Sequence, residues 1–339
     1  MAAAPPSASD PLIAEGFANR FRAGLCRAAG RAVAADETLA LAVSGGPDSM
    51  AMLALASEAM PGAVIAATFD HGLRPAGAAE AAMVARWCAE HGLPHATLRP
   101  DHPLPTSNIQ AAARDARYAA LADWAARSGA RLLATAHHAD DQAETFLMRA
   151  NRGSGPTGLA GIRRSRRLGN VTLVRPLLDW RRVELAAVAS AAGLPVIDDP
   201  SNADPRYTRV RARQWLAALP GLDPAQLARA AEHAGAMAAD VAALAEWAWT
   251  TRRVTDAEAA VAIDVADLPR TLRRMLVRRA IASVRGEDAV EAPDFGEATN
   301  VEPLLDALEG GIRATQAGVM AMPRGSIWRF SPAPPRRTG

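Results

Sequence analysis

Short apolar runs alternate with longer segments of helical spacing along the first part of the chain. The runs Leu39–Val43, Ala63–Phe69, Pro94–Leu98, Arg131–Thr135 and Val171–Val174 read as strands. Between them apolar positions recur with the period of a helix: directly after Ser49, over Ala78–His91 (closed by Gly92), over Asn108–Ser128 (ending at Gly129) and from the end of the fourth strand to Ala150. Helices are also predicted over Ile13–Ala35 and over Val183–Ala192, the latter stopped by Gly193. Strands alternating with helices predict an α/β fold with a doubly wound, Rossmann-like parallel sheet. Such sheets bind ligands beyond the carboxyl ends of their strands. Three polar clusters fall there: Ser44–Ser49, Asp70–Arg74 and Ala136–Asp141.

The remainder is organised differently. Asn151–Asn170 is rich in Gly and Arg and reads as a loop at the rim, and Asp198–Arg213 is a polar stretch passing into a helix. Leu219-Pro220-Gly221 marks a boundary. Beyond it, Pro224–Thr251 and Leu268–Val284 have helical spacing, and Val261–Val265 has the character of a strand. The expected organisation is a disordered leader over 1–12, a catalytic domain over 13–217, a smaller, mainly helical domain over 222–330 and a disordered tail over 331–339.

Composition narrows the function classes. A chain of 339 residues, half of them hydrophobic, can bury the cores of two domains. Cys26 and Cys88 lie far apart with no CxxC, which argues against a zinc ribbon, an iron–sulfur cluster and a disulfide framework, and both read as buried thiols. No apolar run reaches transmembrane length, and the N-terminus lacks the basic and apolar regions of a signal peptide, so a cytoplasmic protein with no membrane partner is expected. All 38 basic residues are Arg, and the net charge is only +2. That charge is uneven: Asn151–Arg213 holds twelve arginines against five acidic residues. The local excess points to a polyanion larger than a nucleotide, with a solvated arginine face as the alternative.

Two constellations carry chemistry. In Ser44-Gly45-Gly46-Pro47-Asp48-Ser49 a strand runs through a glycine turn into a helix, which aims free backbone N–H groups and the positive end of the helix dipole at one point. Gly45 and Gly46 allow close backbone approach, Pro47 suits a first helical position, and Ser44 and Ser49 add hydroxyl donors. Asp48 would repel a phosphate unless it holds a metal ion that the phosphates share. This is not a Walker A loop, which needs a Lys. In the second constellation Ala139, Ala143, Phe146, Leu147 and Ala150 form a sheet-facing stripe, while Asp140, Asp141 and Glu144 lie on another face and His137 closes the strand before them. Three readings stand side by side: a metal site of imidazole and carboxylate, a general base with its orienting acid, and an acidic helix start that satisfies the dipole. On the preceding helix Arg114 and Arg117 share a face, placed either to stabilise phosphate charge or to pair with nearby carboxylates.

SGGPDS resembles the pyrophosphate loop of the N-type ATP pyrophosphatases, which cleave ATP between the α and β phosphates and pass AMP to a carbonyl oxygen. The series SGGPDS, DHGLR, NIQAAARDARY, TAHHADDQAET, NRGSGPTGLAGI, RPLLDWRR and DDPSNADPRYTRVRAR, in that order, resembles one family among them, the tRNA(Ile)-lysidine synthetases, over residues 38 to 216. The resemblance implies a C–N bond-forming ligase. Its partners would be free L-lysine and the isoleucine tRNA with a CAU anticodon, and its cofactors ATP and Mg²⁺. The wobble cytidine would be adenylated and then converted to lysidine, changing decoding from AUG to AUA and charging from Met to Ile.

The resemblance also implies roles. Ser44 to Ser49 would hold the β and γ phosphates, with Asp48 on Mg²⁺. Arg117 would stabilise the adenylated intermediate, His137 would meet the α-phosphate, and Glu144 would orient it or contact the lysine amine. Arg114, Arg152, Arg206, Arg209 and Arg211 would contact tRNA or lysine, and the helical domain would take part in tRNA recognition. A homodimer is left open, as is the division of roles among His137, His138, Asp141 and Glu144. Two positions depart from the family pattern: Pro47 removes one phosphate donor, and Val210 stands where an Asn is usual, which blurs the roles of the neighbouring arginines. A tRNA thiolation enzyme would need catalytic or cluster-binding cysteines, an amidotransferase would need a glutaminase domain, and a non-catalytic nucleotide module would leave His137 and Glu144 without purpose.

Overall fold

The computed structural model describes residues 15–72, 76–100, 102, 109–197, 206, 208–219, 221–287, 294–296 and 299–334. The expected leader, Leu73–Arg74 of the second polar cluster, and Asp198–Pro205 with Tyr207 lie outside the described residues. The chain divides into two compact units, one up to Gly235 and one from Ala236 onward. The division falls inside a long helix rather than at the Leu219–Gly221 boundary read from the sequence.

The first unit contains, in order, α1 (Glu15–Ala29), β1 (Leu39–Ala42), α2 (Pro47–Ala59), β2 (Val64–Phe69), α3 (Ala76–Glu90), β3 (His95–Leu98), α4 (Ile109–Arg127), β4 (Leu132–Ala134), α5 (Ala139–Ala150), the single turn α6 (Pro156–Leu159), β5 (Ser165–Leu168), β6 (Val171–Val174), α7 (Arg182–Ala191), α8 (Thr208–Ala218) and the start of α9 (Pro224–Thr251). The strands form one sheet in the order β3-β2-β1-β4-β6-β5. All neighbours are parallel except β5, which runs antiparallel to β6. The α/β parallel sheet expected from the sequence is therefore present.

Its order reverses beside β1. The chain steps outward from β1 to β2 and β3, then returns to the other side of β1 to lay down β4. The connections leaving β1 and β4 diverge at that point and open a crevice at the strand ends. Helix α2, which leaves β1, is apolar all round and buried from Ser49 to Ala56. The sheet covers one side, while Phe21 and Leu25 of α1 and Leu185 and Val188 of α7 join the same core. A helix packed this way holds its N-terminus in a fixed place.

The region Asn151–Asn170, expected to be a loop, contains the edge strand β5. Its Ser-Arg-Arg-Leu sequence lacks apolar alternation because an exposed edge has no core face, and charge there discourages edge-to-edge pairing. The two-residue connection Gly169-Asn170, with Gly169 at φ 58°, is the local sign of this hairpin.

The second unit holds the rest of α9, β7 (Val261–Asp264), α10 (Arg270–Glu287), α11 (Glu302–Glu309), β8 (Ala314–Gln316), β9 (Val319–Arg324) and β10 (Ile327–Pro332). Helices α9 and α10 and strand β7 fall where expected; α11 and strands β8, β9 and β10 were not expected, and the strands form a four-stranded antiparallel sheet, β7-β10-β9-β8. Trp328 and Phe330 of β10 pack with Leu276 and Ile281 of α10 and Leu305 of α11. Ser331 and Pro332, assigned to a disordered tail from the sequence, pair with Met320 and Val319 as the end of β10. Among the described residues no helix is long and apolar enough to cross a membrane.

Candidate active site

The connection after β1 has the predicted form. Gly45 is buried at φ 87°, a conformation that side chains disfavour, and an added Cβ would come within 3.2 Å of Met83. Gly46 is the N-cap of α2, Pro47 opens the helix, and no side chain caps its free amides. The serine roles differ from expectation. Ser49 is buried, donates its hydroxyl proton to the Gly46 carbonyl (2.9 Å) and accepts from Ser44 N–H (3.1 Å). It shapes the loop and has no proton to spare for a ligand, whereas Ser44 is exposed with its Oγ 3.2 Å from Ser49 Oγ.

Across the switch point, His138 caps α5. Its Nδ1 accepts from Asp141 N–H (3.3 Å), and its own N–H donates to Asp141 Oδ2 (3.1 Å), closing a capping box. Accepting at Nδ1 leaves Nε2 to carry the ring proton. That nitrogen stands 3.4 Å from Asp48 Oδ2 and 3.5 Å from Asp141 Oδ2. Burial opposes a charge on His138, but Asp48 and Asp141 outweigh it and raise its pKa above the ordinary value. Asp141 is held below the ordinary carboxylate range: burial acts upward, and His138, Arg209 and His137 together act more strongly downward.

His137 lies in the opposite environment. Burial pushes its pKa down to about 3; Asp141 resists, and Arg175, Arg209 and Arg114 push it further. Its Nδ1 is 3.0 Å from Thr135 Oγ1 at the end of β4. A neutral imidazole facing arginines can hydrogen-bond an anion without adding charge of its own.

Glu144, which the resemblance placed to orient His137 or to contact the lysine amine, is buried: its side chain is 1% exposed, because α7 and α8 bring arginines to it. Its Oε1 accepts from Arg182 (2.9 Å) and Arg213 (3.0 Å), and Arg209 Nε is 3.3 Å from Oε2. Among the described residues it makes no hydrogen bond to His137. Asp140 likewise staples α5 to α7, accepting from Arg182 N–H (2.7 Å) and from Arg181 Nε (3.1 Å) and Nη2 (3.2 Å).

A cleft of about 370 Å³ opens beside the loop, lined by Ser44, Gly46, Thr68, Asp70, Arg114 and Arg117 among others. That volume suits a small ligand such as a nucleotide. Arg114 is exposed and stacks over Tyr118 (5.0 Å). Arg117 is half-buried and has no hydrogen-bond or ion-pair partner among the described residues; burial and the proximity of Arg114 lower its pKa. A cation left without a carboxylate at a cleft wall is suited to a ligand phosphate.

The arginine-rich stretch carries less free charge than its count implies. Arg164, Arg181, Arg182, Arg209 and Arg213 are ion-paired with carboxylates, and Arg175 is buried against the Arg163 carbonyl (2.5 Å). Arg152, Arg206 and Arg211 are exposed, whereas Arg209 is held at the site by Glu144 and by Thr145 Oγ1 (3.4 Å). His138, whose role the sequence left open, caps α5 beside Asp48, and Arg182 and Arg213, counted in the sequence only among the arginines facing a polyanion, gather on Glu144. The i+4 spacing of Arg209 and Arg213, which puts both on one helix face, was the available signal.

The residues present also fit a Mg²⁺ ion. Asp48 Oδ1 is buried with no hydrogen-bond partner among the described residues, beside a helix N-terminus suited to phosphates. Among the described residues no three His, Cys, Asp or Glu side chains are grouped to hold a metal. A Mg²⁺ bound by one carboxylate and the phosphates of a nucleotide needs no such group.

The switch-point crevice, the uncapped α2 terminus and the nucleotide-sized cleft suit a protein that binds a phosphorylated nucleotide. A family model described as a PP-loop domain matches residues 19–219. The fold is similar to that of the U34-tRNA thiolase NcsA from Methanococcus maripaludis, at a TM-score of 0.52 and 19% identity over 65% of this chain and 80% of that one. The chain is 44% identical to the tRNA(Ile)-lysidine synthase of Novosphingobium aromaticivorans, over 95% of this chain and 96% of that protein. It is 42% identical to the tRNA(Ile)-lysidine synthase of Methylobacterium nodulans, over 98% and 99%. The chain belongs to the tRNA(Ile)-lysidine synthase family, a family of ATP-dependent ligases.

Proposed function

We propose that the chain joins the ε-amine of free L-lysine to C2 of the wobble cytidine in the CAU-anticodon isoleucine tRNA, in two steps at one site. In the first, the cytidine C2 oxygen attacks the α-phosphorus of ATP. The bond to the β-phosphate oxygen breaks, and pyrophosphate leaves. In the second, the lysine amine attacks C2, the C2–O bond breaks, AMP leaves with that oxygen, and the amine gives up a proton.

The observation that carries this reading is that Ser44 and Gly46 of the loop line one cleft with Arg117, which has no ion-pair partner among the described residues. The loop and the α2 terminus receive the departing pyrophosphate. Mg²⁺ would be held by Asp48 together with phosphate oxygens, and it supplies neutralisation of the phosphate charge. Arg117 stabilises charge on the α-phosphate, and neutral His137 donates a hydrogen bond to it. His138 keeps the Asp48 carboxylate in place. Glu144 acts through others, holding Arg182, Arg209 and Arg213 at the rim. The nucleophilic amine comes from outside the chain, which contains no Lys.

The test is a reaction with α-labelled ATP and isoleucine tRNA. Without lysine, the label should pass to the tRNA with release of pyrophosphate; added lysine should then discharge it as AMP. Label that never reaches the tRNA, or AMP formation indifferent to lysine, would contradict the proposal.

A further inference from the structure

Helix α8 shows two different faces. Arg209 and Arg213, one turn apart, point inward to buried Glu144. Arg211, Trp215 and Leu219, also spaced by four, form the outward stripe. The Leu219 N–H donates to the Trp215 carbonyl (3.1 Å), so helical geometry continues through the stripe. Trp215 is 42% exposed and Leu219 52%; Trp247 of α9, in the second unit, is also exposed, whereas Trp87, Trp180, Trp249 and Trp328 are all below 9%. Arg211, exposed one turn before Trp215, is steadied by the Arg206 carbonyl (3.2 Å) and the Thr208 hydroxyl (3.3 Å).

An exposed indole flanked by an exposed guanidinium, on a helix fastened to the catalytic cluster, is the combination that holds an unpaired base. The indole offers a flat face for stacking, and the arginine meets the adjoining phosphate. Trp215 lies six residues beyond Arg209, about 9 Å of helix rise, so it is set off from the reacting cytidine yet close to it. We infer that Trp215 stacks on a nucleotide of the anticodon loop neighbouring the wobble cytidine, with Arg211 on its phosphate. This rests on the reading of tRNA as substrate. The stripe is mixed, apolar with a cation, which favours an RNA strand over a second protein surface.

The test uses an RNA hairpin with the anticodon loop of the CAU isoleucine tRNA, together with the same hairpin made abasic at each loop position in turn. Binding is measured for the full chain, for Trp215→Ala and for Trp215→Phe, each checked by thermal melting. Trp215→Ala should weaken binding roughly tenfold or more, while Trp215→Phe stays within about threefold. One abasic position should weaken binding by the wild type but not by Trp215→Ala, because the partner of that base is already gone. Equal binding by Trp215→Ala and wild type, or no abasic position coupled to Trp215, would overturn the stacking assignment alone. A changed oligomeric state of Trp215→Ala in sedimentation, with RNA binding intact, would assign the stripe to a protein contact. A wild-type chain that does not bind the hairpin would overturn the tRNA reading and this inference with it.

Discussion

His138 Nε2 lies 3.4 Å from Asp48 Oδ2, so the cap of α5 touches the first turn of α2 across the switch point of the sheet. Burial alone would depress the His138 pKa, and the carboxylates of Asp48 and Asp141 raise it instead. The resulting stabilisation is complete below the pKa of an unfolded histidine and fades as pH rises through the raised value. Asp48→Asn should lower the His138 pKa, read by NMR titration of its ring. A pKa unmoved by Asp48→Asn would show that the contact carries no charge coupling. Asp48→Ala should lose pyrophosphate release while tRNA still binds; loss of tRNA binding would make the loop structural.

His137 gives a second pH effect of opposite sign. The unfolded chain takes up a proton near the ordinary imidazole pKa, whereas the folded chain resists until about 3, chiefly because of burial. Stability should therefore fall as pH drops through that window, by at most about 1.4 kcal/mol per pH unit from this one group. His137→Asn should flatten that part of the profile, which denaturant melts at a neutral and an acidic pH would reveal. Identical slopes for the two proteins would mean that His137 is protonated in the folded state.

Glu144 is a buried carboxylate in contact with three arginines. Glu144→Ala should destabilise the first unit by on the order of 1–2 kcal/mol, since it leaves three part-exposed arginines crowded around an emptied buried position. Hydrogen exchange should speed up selectively in α8, which Glu144 anchors. Unchanged protection of α8 would return Glu144 to a direct role on substrate.

Arg117 has no carboxylate partner among the described residues. Arg117→Ala should leave the melting temperature nearly unchanged and lower kcat about a hundredfold or more, the usual effect of removing a transition-state charge donor. A large loss of stability with little loss of rate would make it a structural residue.

The sheet and its site were legible to different degrees, for physical reasons. The strands that end at the site are buried, so β1, β2 and β4 are continuous apolar runs and their boundaries fell within a residue or so of expectation. The Ser44–Ser49 loop was legible because its backbone geometry demands those residue types. Of the C-terminal sheet only β7 was. Its β9 strand, Val-Met-Ala-Met-Pro-Arg, has one β-branched residue and a proline. Pro323 is tolerated because β8 pairs only with Val319–Ala321, leaving β9 an edge strand at that point. The Asp48–His138 and Glu144–Arg213 pairings join residues far apart in the chain, and no local spacing announces them. Sequence reasoning placed these groups at one end of the sheet but could not say which carboxylate would meet a histidine and which would gather arginines.

The most direct test of the central claim is mass analysis of nucleosides from CAU-anticodon isoleucine tRNA incubated with the protein, ATP and lysine. The wobble cytidine should be replaced by lysidine, with AMP and pyrophosphate formed in equal amounts and no product when lysine or ATP is omitted. An unmodified cytidine under these conditions, or a modified base formed from a sulfur donor without lysine, would contradict the proposed function.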